Sequence, residues 1–550
     1  MEGLCNMYTS HTAMRVLLGL ALWPLVSWGQ KPLISPGGLV NAASYSVGTP
    51  ASSVAGNVGG KDLPSGAIGS IFGLNLAAST QSAATVPLPV SLGGTTVTMD
   101  GVAAPLFFVS PSQINFQVPS SGLSGLSGVV VTTAAGASDP YPLNSGGNPW
   151  VGVFTLDGSG CGRGDVLNVT SDGRVSLNSP ANSVSPGEYL EVFGTGEQYL
   201  PFLLPPDGSP APSSPLVWGE YGSSGEFDLT QFAGGPPNWF GGRAPGLIGV
   251  DQFNLQVPAT AREGCAVPFQ VVSGNISQPV TIAIRNGGGQ CVDPPEAGYG
   301  QVTWERTVNT DASHTVTESD TVTVSLQTSP GKQAPPAPIF TGSVASSWVY
   351  LGPSCPIPGY RSLSAGTVAI QGPGFSPTAA SVAPLQQGQV SGLTVYQATL
   401  PAGAIQAGSF TVSAGGGADM GAFQSGVHIG AGIQITTDLA GIVFPCNKPV
   451  TINWTGGDPN AWVTITKVSH NGIYDAYNPV QARVSAGTAA LPAGINPLPG
   501  TCGSDSIPID LVIEVDPDPS ETAAFSATGL SLGGQHTWRY IYRFPAFLQL

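Results

Sequence analysis

Charge is what this chain has least of. Its 550 residues include 16 Lys and Arg and 32 Asp and Glu, so charged side chains make up 9%, where soluble domains carry about 25%. Long amphipathic helices need Glu, Lys and Arg along a polar face, so they are nearly excluded. The few cations form no basic stripe, and the net charge of −16 argues against nucleic acid and against an anionic membrane surface as partners. Histidine is scarce as well: beyond the first segment only His314, His428, His470 and His536 remain. There is no H-E-x-x-H, P-loop, G-x-G-x-x-G, C-x-x-C or Cys/His cluster, which removes the usual zinc and nucleotide sites. Long apolar runs are missing too. Val16–Val26 is about 11 residues, short of the roughly 20 that a membrane helix needs.

What the chain does have is 76 Gly, 51 Pro and 41% hydrophobic residues. That combination opposes disorder and reads as all-β, with turns every few residues. The length leaves room for about four domains. Arg15, the apolar run and the small residues Ser27 and Gly29 form a secretory signal over 1–29, with cleavage before Gln30 and no membrane span after its removal. Six cysteines follow: Cys161, Cys265, Cys291, Cys355, Cys446 and Cys502. In an exported chain they read as structural disulfides. Cys265 and Cys291 bracket two strand-like runs, Val267–Val272 and Val280–Arg285, as the ends of a hairpin would. Cys446 and Cys502 bracket one β-rich module, and the pairing of Cys161 and Cys355 stays open.

An internal repeat organises the first half. Gln113-Ile-Asn-Phe-Gln-Val-Pro119 recurs as Gln252-Phe-Asn-Leu-Gln-Val-Pro258, both alternating polar and apolar before a proline stop. Ser65–Gly73 is echoed by Pro186–Gly194, each opening on a turn glycine and closing on Phe-Gly, and Asn41 parallels Asn178. These landmarks give repeats over 30–150 and 151–292. Val40-Asn-Ala-Ala-Ser44, Ser70–Leu76, Gly101–Pro111 and the Gln113–Pro119 strand resemble an uncharacterised domain of secreted acidobacterial proteins, first named for Solibacter. The second copy resembles it through Asp157–Gly160, Asn178–Ala181, Phe193–Gly196, Ala244–Gly246 and the Cys265-to-Cys291 segment. The resemblance covers about 250 residues and implies tandem immunoglobulin-like β-sandwiches. It implies no activity. Beyond Pro294-Pro295 the repeat stops, and two further β-rich domains are expected at 293–432 and 433–550. Trp454, in an alternating strand after Cys446, resembles the core Trp of immunoglobulin-like domains.

Four features bear on chemistry. Gly529-Leu-Ser-Leu-Gly533 matches the nucleophile elbow, but the expected setting there is strand and turn rather than strand and helix, so no catalytic role is expected of Ser531. Glu514, Asp516, Asp518 and Glu521 are the densest acidic group. Asp516 and Asp518 are a weak calcium candidate, and a solvated strand-ending turn is the plainer expectation. Arg163-Gly164-Asp165 reads as turn chemistry. Trp218, Tyr221 and Trp239 sit in Gly/Pro-rich segments, where rings either pack inward or form a stacking platform for sugar. The expectation is an exported, non-enzymatic protein without a cofactor, in contact with protein or polysaccharide at the cell surface. The alternatives are a carbohydrate-binding protein that uses those aromatics and a secreted hydrolase with an unrecognised site.

Overall fold

The computed structural model describes residues 30–45, 63–121, 126–144, 151–220, 223–228, 231–234, 240–273, 275–331, 355–384, 393–469, 479–492 and 506–549. Residues 1–29, expected as a signal segment, and Tyr221, Trp239 and Cys502 lie outside them. Among the described residues every regular element is a strand, apart from the 3-10 turns Pro201–Leu203, Val484–Ala486 and Pro519–Glu521. None is a helix long and apolar enough to cross a membrane.

In the first repeat β1 (Leu33–Asn41), β2 (Ile68–Leu74), β4 (Leu106–Val109) and β5 (Gln113–Gln117) form one sheet in the order β1-β2-β5-β4. A second sheet carries β3 (Thr95–Met99) beside β6 (Leu126–Thr133). Alternate residues of both turn inward: Ile71, Leu106, Ile114 and Phe116 from one sheet meet Val97, Met99, Val129 and Val131 from the other in a single buried cluster. That is a β-sandwich, its core filled by period-2 alternation.

The second repeat rebuilds this frame. Here β7 (Gly152–Val153), β9 (Tyr189–Thr195), β11 (Gly241–Arg243) and β12 (Asp251–Gln256) run in the order β7-β9-β12-β11, and β8 (Val166–Val169) also pairs with β9. Opposite them lie β10 (Ser224–Phe227), β13 (Gly264–Ser273) and β14 (Val280–Ile284). Leu190, Val192, Phe253 and Leu255 pack on Phe227, Val267, Phe269 and Ile282. The duplication holds at the level of register. Phe72 faces Gln113 and Ile68 faces Gln117, while Phe193 faces Gln252 and Tyr189 faces Gln256. A one-residue slip would turn every core side chain outward, so matched register means matched cores. The Asn41–Asn178 parallel does not hold. Asn178 bonds Ala283 within its own sandwich, whereas Asn41 reaches into the neighbouring repeat.

Carboxy-terminal to the repeats, β15 (Glu296–Thr310) and β16 (Val316–Pro330) make a hairpin paired along its full length; at 3.4 Å per residue it is about 50 Å long. β17 (Thr394–Leu400) pairs with β16, and β20 (Gly534–Gln549) pairs in parallel with β15, setting Trp304 beside Trp538. β19 (Ser506–Asp516) and β18 (Trp462–Ser469) extend the sheet, giving the order β17-β16-β15-β20-β19-β18. Residues expected as two units meeting at 432/433 therefore share one sheet and one buried cluster. The hairpin belongs to both halves, and the parallel β15–β20 pair joins strands more than two hundred positions apart, a contact that local patterning does not reveal. Trp454 is buried in that cluster, its indole N–H donating to the Val484 carbonyl at 2.8 Å.

Candidate functional site

The second repeat carries an exposed aromatic on a stiff support. Residues 217–220 run alongside β11: the Gly219 amide donates to Gly241 and the Arg243 amide to Val217, both at 2.9 Å, and Trp218 bridges Gly242. Extended backbone alternates its side chains. Val217 is buried, and a Cβ on Gly219 would come within 2.6 Å of the buried Glu197 carboxylate, so 217 and 219 face inward. Trp218 and Glu220 consequently face out. Trp218 is 46% exposed and is braced by an edge contact with buried Phe240, ring centroids 5.2 Å apart. On the same side Gln198 donates its side-chain amide to Glu220 at 3.0 Å, while the Glu220 amide donates to the Gln198 carbonyl. Of the three aromatics expected from sequence, Trp218 is placed, and the neighbouring ring that packs inward is Phe240. Gln198 carries no signal in sequence; only the fold brings it beside Glu220.

Beneath this edge lies a buried charged network. Arg243 and Asp251 face each other across β11 and β12, both essentially buried, with Nη1 2.9 Å from Oδ1. The Tyr199 hydroxyl donates to Asp251 Oδ1 at 2.7 Å, and the Glu197 amide donates to Oδ2 at 2.8 Å. The guanidinium stacks 4.4 Å from the Tyr199 ring centroid and donates to the Ser65 carbonyl of the first repeat. Burial pushes the Tyr199 phenol well above its ordinary range, and the Asp251 carboxylate adds to that. Burial also moves the Asp251 carboxyl up, against the pull of Arg243. A buried pair with this many partners costs much more to break than to keep.

The repeats dock through the Val40–Ser44 motif. Asn41 Oδ1 accepts from the Ala43 and Ser44 amides at 2.8 and 3.1 Å, and its Nδ2 donates to the Thr195 carbonyl at 3.0 Å. The Thr195 hydroxyl accepts from Ile68 and donates to Gly249. Gly152 must be glycine for this fit, because a Cβ there would come within 2.7 Å of Asn41 Oδ1. Beside this junction, where Gly160 packs against Ser44 and Tyr45, Cys161 and Cys355 form a disulfide with Cα atoms 5.3 Å apart. Near it, Tyr360 donates to Asp228, which also pairs with Arg262 at 2.8 Å. Cys265 and Cys291 are bonded as their hairpin spacing suggests, again at a Cα separation of 5.3 Å. Cys446 is also disulfide-bonded; Cys502 lies outside the described residues.

The sequence candidates for chemistry resolve differently. Ser531 sits in a turn leading into β20, its hydroxyl accepting from the Gly298 amide. His536 is fully buried. The Trp304 indole, a donor only, gives its hydrogen to Nε2 at 2.7 Å, so Nδ1 holds the imidazole proton and donates to Ser425 Oγ. Burial holds this imidazole down at about 3. The calcium candidates are taken up by arginines: Asp516 accepts from Arg539 at 2.7 Å, and Asp518 accepts from Arg483 at 2.6 Å while capping the Pro519–Glu521 turn. Among the described residues no cluster of His, Cys, Asp and Glu is arranged to hold a metal. Arg163-Gly164-Asp165 lies in bridged backbone rather than at a loop tip, the Gly164 amide donating to Thr281 and the Asp165 amide to Phe154.

No family model matches the chain, and no curated protein matches it. Solved structures do. A Bacteroides ovatus protein of a mixed-linkage glucan utilization locus, SGBP-B, in complex with a mixed-linkage heptasaccharide, is 11% identical; the match covers 81% of this chain and 91% of that one, at a TM-score of 0.14. The FN1–FN3 domains of chicken CNTN1 are 9% identical over 72% and 99%, at 0.14. The four N-terminal Ig domains of Dscam1 are 8% identical over 81% and 91%, at 0.13. At TM-scores this low, the all-β sandwich fold rests on the sheets and cores described above.

Proposed function

We propose that this chain is an exported, non-enzymatic protein of the cell surface or extracellular space, working in adhesion, matrix structure or contact with other macromolecules. The observation that carries the reading is how the units are joined. The Val40–Ser44 motif and the Cys161–Cys355 bond lock the second repeat to both of its neighbours through specific side chains, as a chain that transmits force or holds a surface in place requires. Disulfides at Cys161–Cys355 and Cys265–Cys291 fit an oxidising compartment. The turn setting of Ser531 and the burial of His536, the histidine nearest to it in sequence, speak against a serine hydrolase built on the nucleophile motif.

Fractionation of producing cells tests this, combined with protease shaving and N-terminal sequencing. The expected result is a chain beginning near Gln30 in the medium or in the shaved surface fraction. Recovery in the cytoplasm with residue 1 or 14 as its terminus would contradict it. Labelling by a fluorophosphonate probe that disappears in Ser531→Ala would contradict the non-enzymatic reading.

A further inference from the structure

We propose that the outward face of residues 217–220 is a binding site for a neutral polysaccharide, with a pyranose ring stacked on Trp218 and its hydroxyls held by Gln198 and Glu220. The proposal rests on the surface reading only for where the ligand is met. A pyranose has an apolar C–H face and a rim of hydroxyls, so it needs a flat exposed ring beside groups that both donate and accept. Trp218 supplies the ring, nearly half exposed and held in place by Phe240. Gln198 and Glu220, already bonded to each other at 3.0 Å, supply a carboxamide and a carboxylate on the same side.

The support is rigid. Gly219 is pressed against Glu197, and behind it Arg243, Asp251 and Tyr199 are fixed by buried bonds. Such pre-organisation lowers the ordering cost of binding. The backbone of this segment is bonded toward β11 through Val217 and Gly219 and toward Gln198 through the Glu220 amide, and the outward side chains Trp218 and Glu220 supply the recognition. Glu220 and the net charge of −16 oppose an anionic glycan, which leaves a neutral one. In the first repeat the segment lying along β4 is Gln81–Ser82, with no ring at all.

The test uses the purified full chain in native affinity gels cast with soluble xyloglucan, glucomannan, laminarin or hydroxyethylcellulose, followed by titration calorimetry with any glycan that retards it. The expected result is retardation by at least one glycan. Trp218→Ala should weaken binding about tenfold or more, as loss of a central aromatic anchor does, and Glu220→Gln or Gln198→Ala by a smaller factor. Gln81→Ala in the first repeat should bind as the parent does. Unchanged melting of Trp218→Ala separates lost binding from lost folding, and Glu220→Gln gives an independent reading. Absence of retardation by every glycan, or retardation that survives both Trp218→Ala and Glu220→Gln, would overturn the assignment. So would Trp218-dependent capture of an unglycosylated protein. A Trp218→Ala chain that still fractionates with the surface but no longer binds glycan supports both readings separately.

Discussion

In the first repeat the sheet strands β4 and β5 are joined by residues 110–112, and the buried position after β2 is Leu76. In the second the matching strands β11 and β12 are joined by 244–250, and register places Glu197 where Leu76 stood and Asp251 where Ser112 stood. Ser112 is exposed; Asp251 is fully buried. What is surface at Ser112 is interior at Asp251, and there the carboxylate pairs with Arg243 and accepts from Tyr199. One frame thus supports two kinds of interior. The first repeat is held by apolar packing, whereas the second adds a buried ion pair and two disulfides, and it carries the exposed Trp218.

Breaking the ion pair is the sharpest way to test that contrast. Asp251→Ala leaves the Arg243 guanidinium buried without its carboxylate and should cost the second repeat about 3–5 kcal/mol. Ser112→Ala, at the matching position of the first, should stay within about 0.5 kcal/mol. Urea-dependent hydrogen exchange of peptides from each repeat reads both, and equal effects would end the comparison.

The carboxy-terminal sheet differs from both repeats in holding a buried histidine, whereas residues 30–292 contain none. The folded-state value of His536, about 3, lies below the ordinary 6.5, so the unfolded chain binds this proton first as pH falls. Stability is whole above about pH 6.5 and declines below it. The loss by pH 4 is on the order of 3 kcal/mol. Thermal melts from pH 7 to 4 should show β15 and β20 giving way before the repeats, with the difference reduced in His536→Asn. A flat profile for that sheet would contradict the burial argument.

A smaller effect is expected at the junction between the repeats. Asn41→Ala removes a side chain that holds its own turn and reaches Thr195, costing about 1–2 kcal/mol. Gly152→Ala strains the same contact from the other side. In either variant the two repeats should melt as separate transitions in calorimetry where the parent melts as one. A single unchanged transition would mean that the motif does not couple them.

Much of this frame was legible from sequence because it is local. The alternation in Gln113–Pro119 and Gln252–Pro258, the Phe-Gly strand ends and the Cys265–Cys291 hairpin depend on neighbours close in the chain, and they fixed elements and register together. Contacts between distant segments were not legible. The β15–β20 pair, the Cys161–Cys355 bond and the Arg243–Ser65 contact join residues whose local patterns say nothing about one another. Trp218 stood out as an aromatic among Gly and Pro. Its partner Gln198 did not, because an isolated Gln carries no pattern until the fold places it.

The central claim is that two copies of one frame are held by different means, and reduction of the disulfides tests it most directly. In the chain-entropy account, closing the Cys265–Cys291 loop contributes about 3–4 kcal/mol and the longer Cys161–Cys355 loop about 5. Hydrogen exchange followed by mass spectrometry, on the intact and the fully reduced chain, should show peptides from 151–292 losing protection while those from 63–144 keep theirs. Equal loosening of both repeats, or none in the second, would contradict the account.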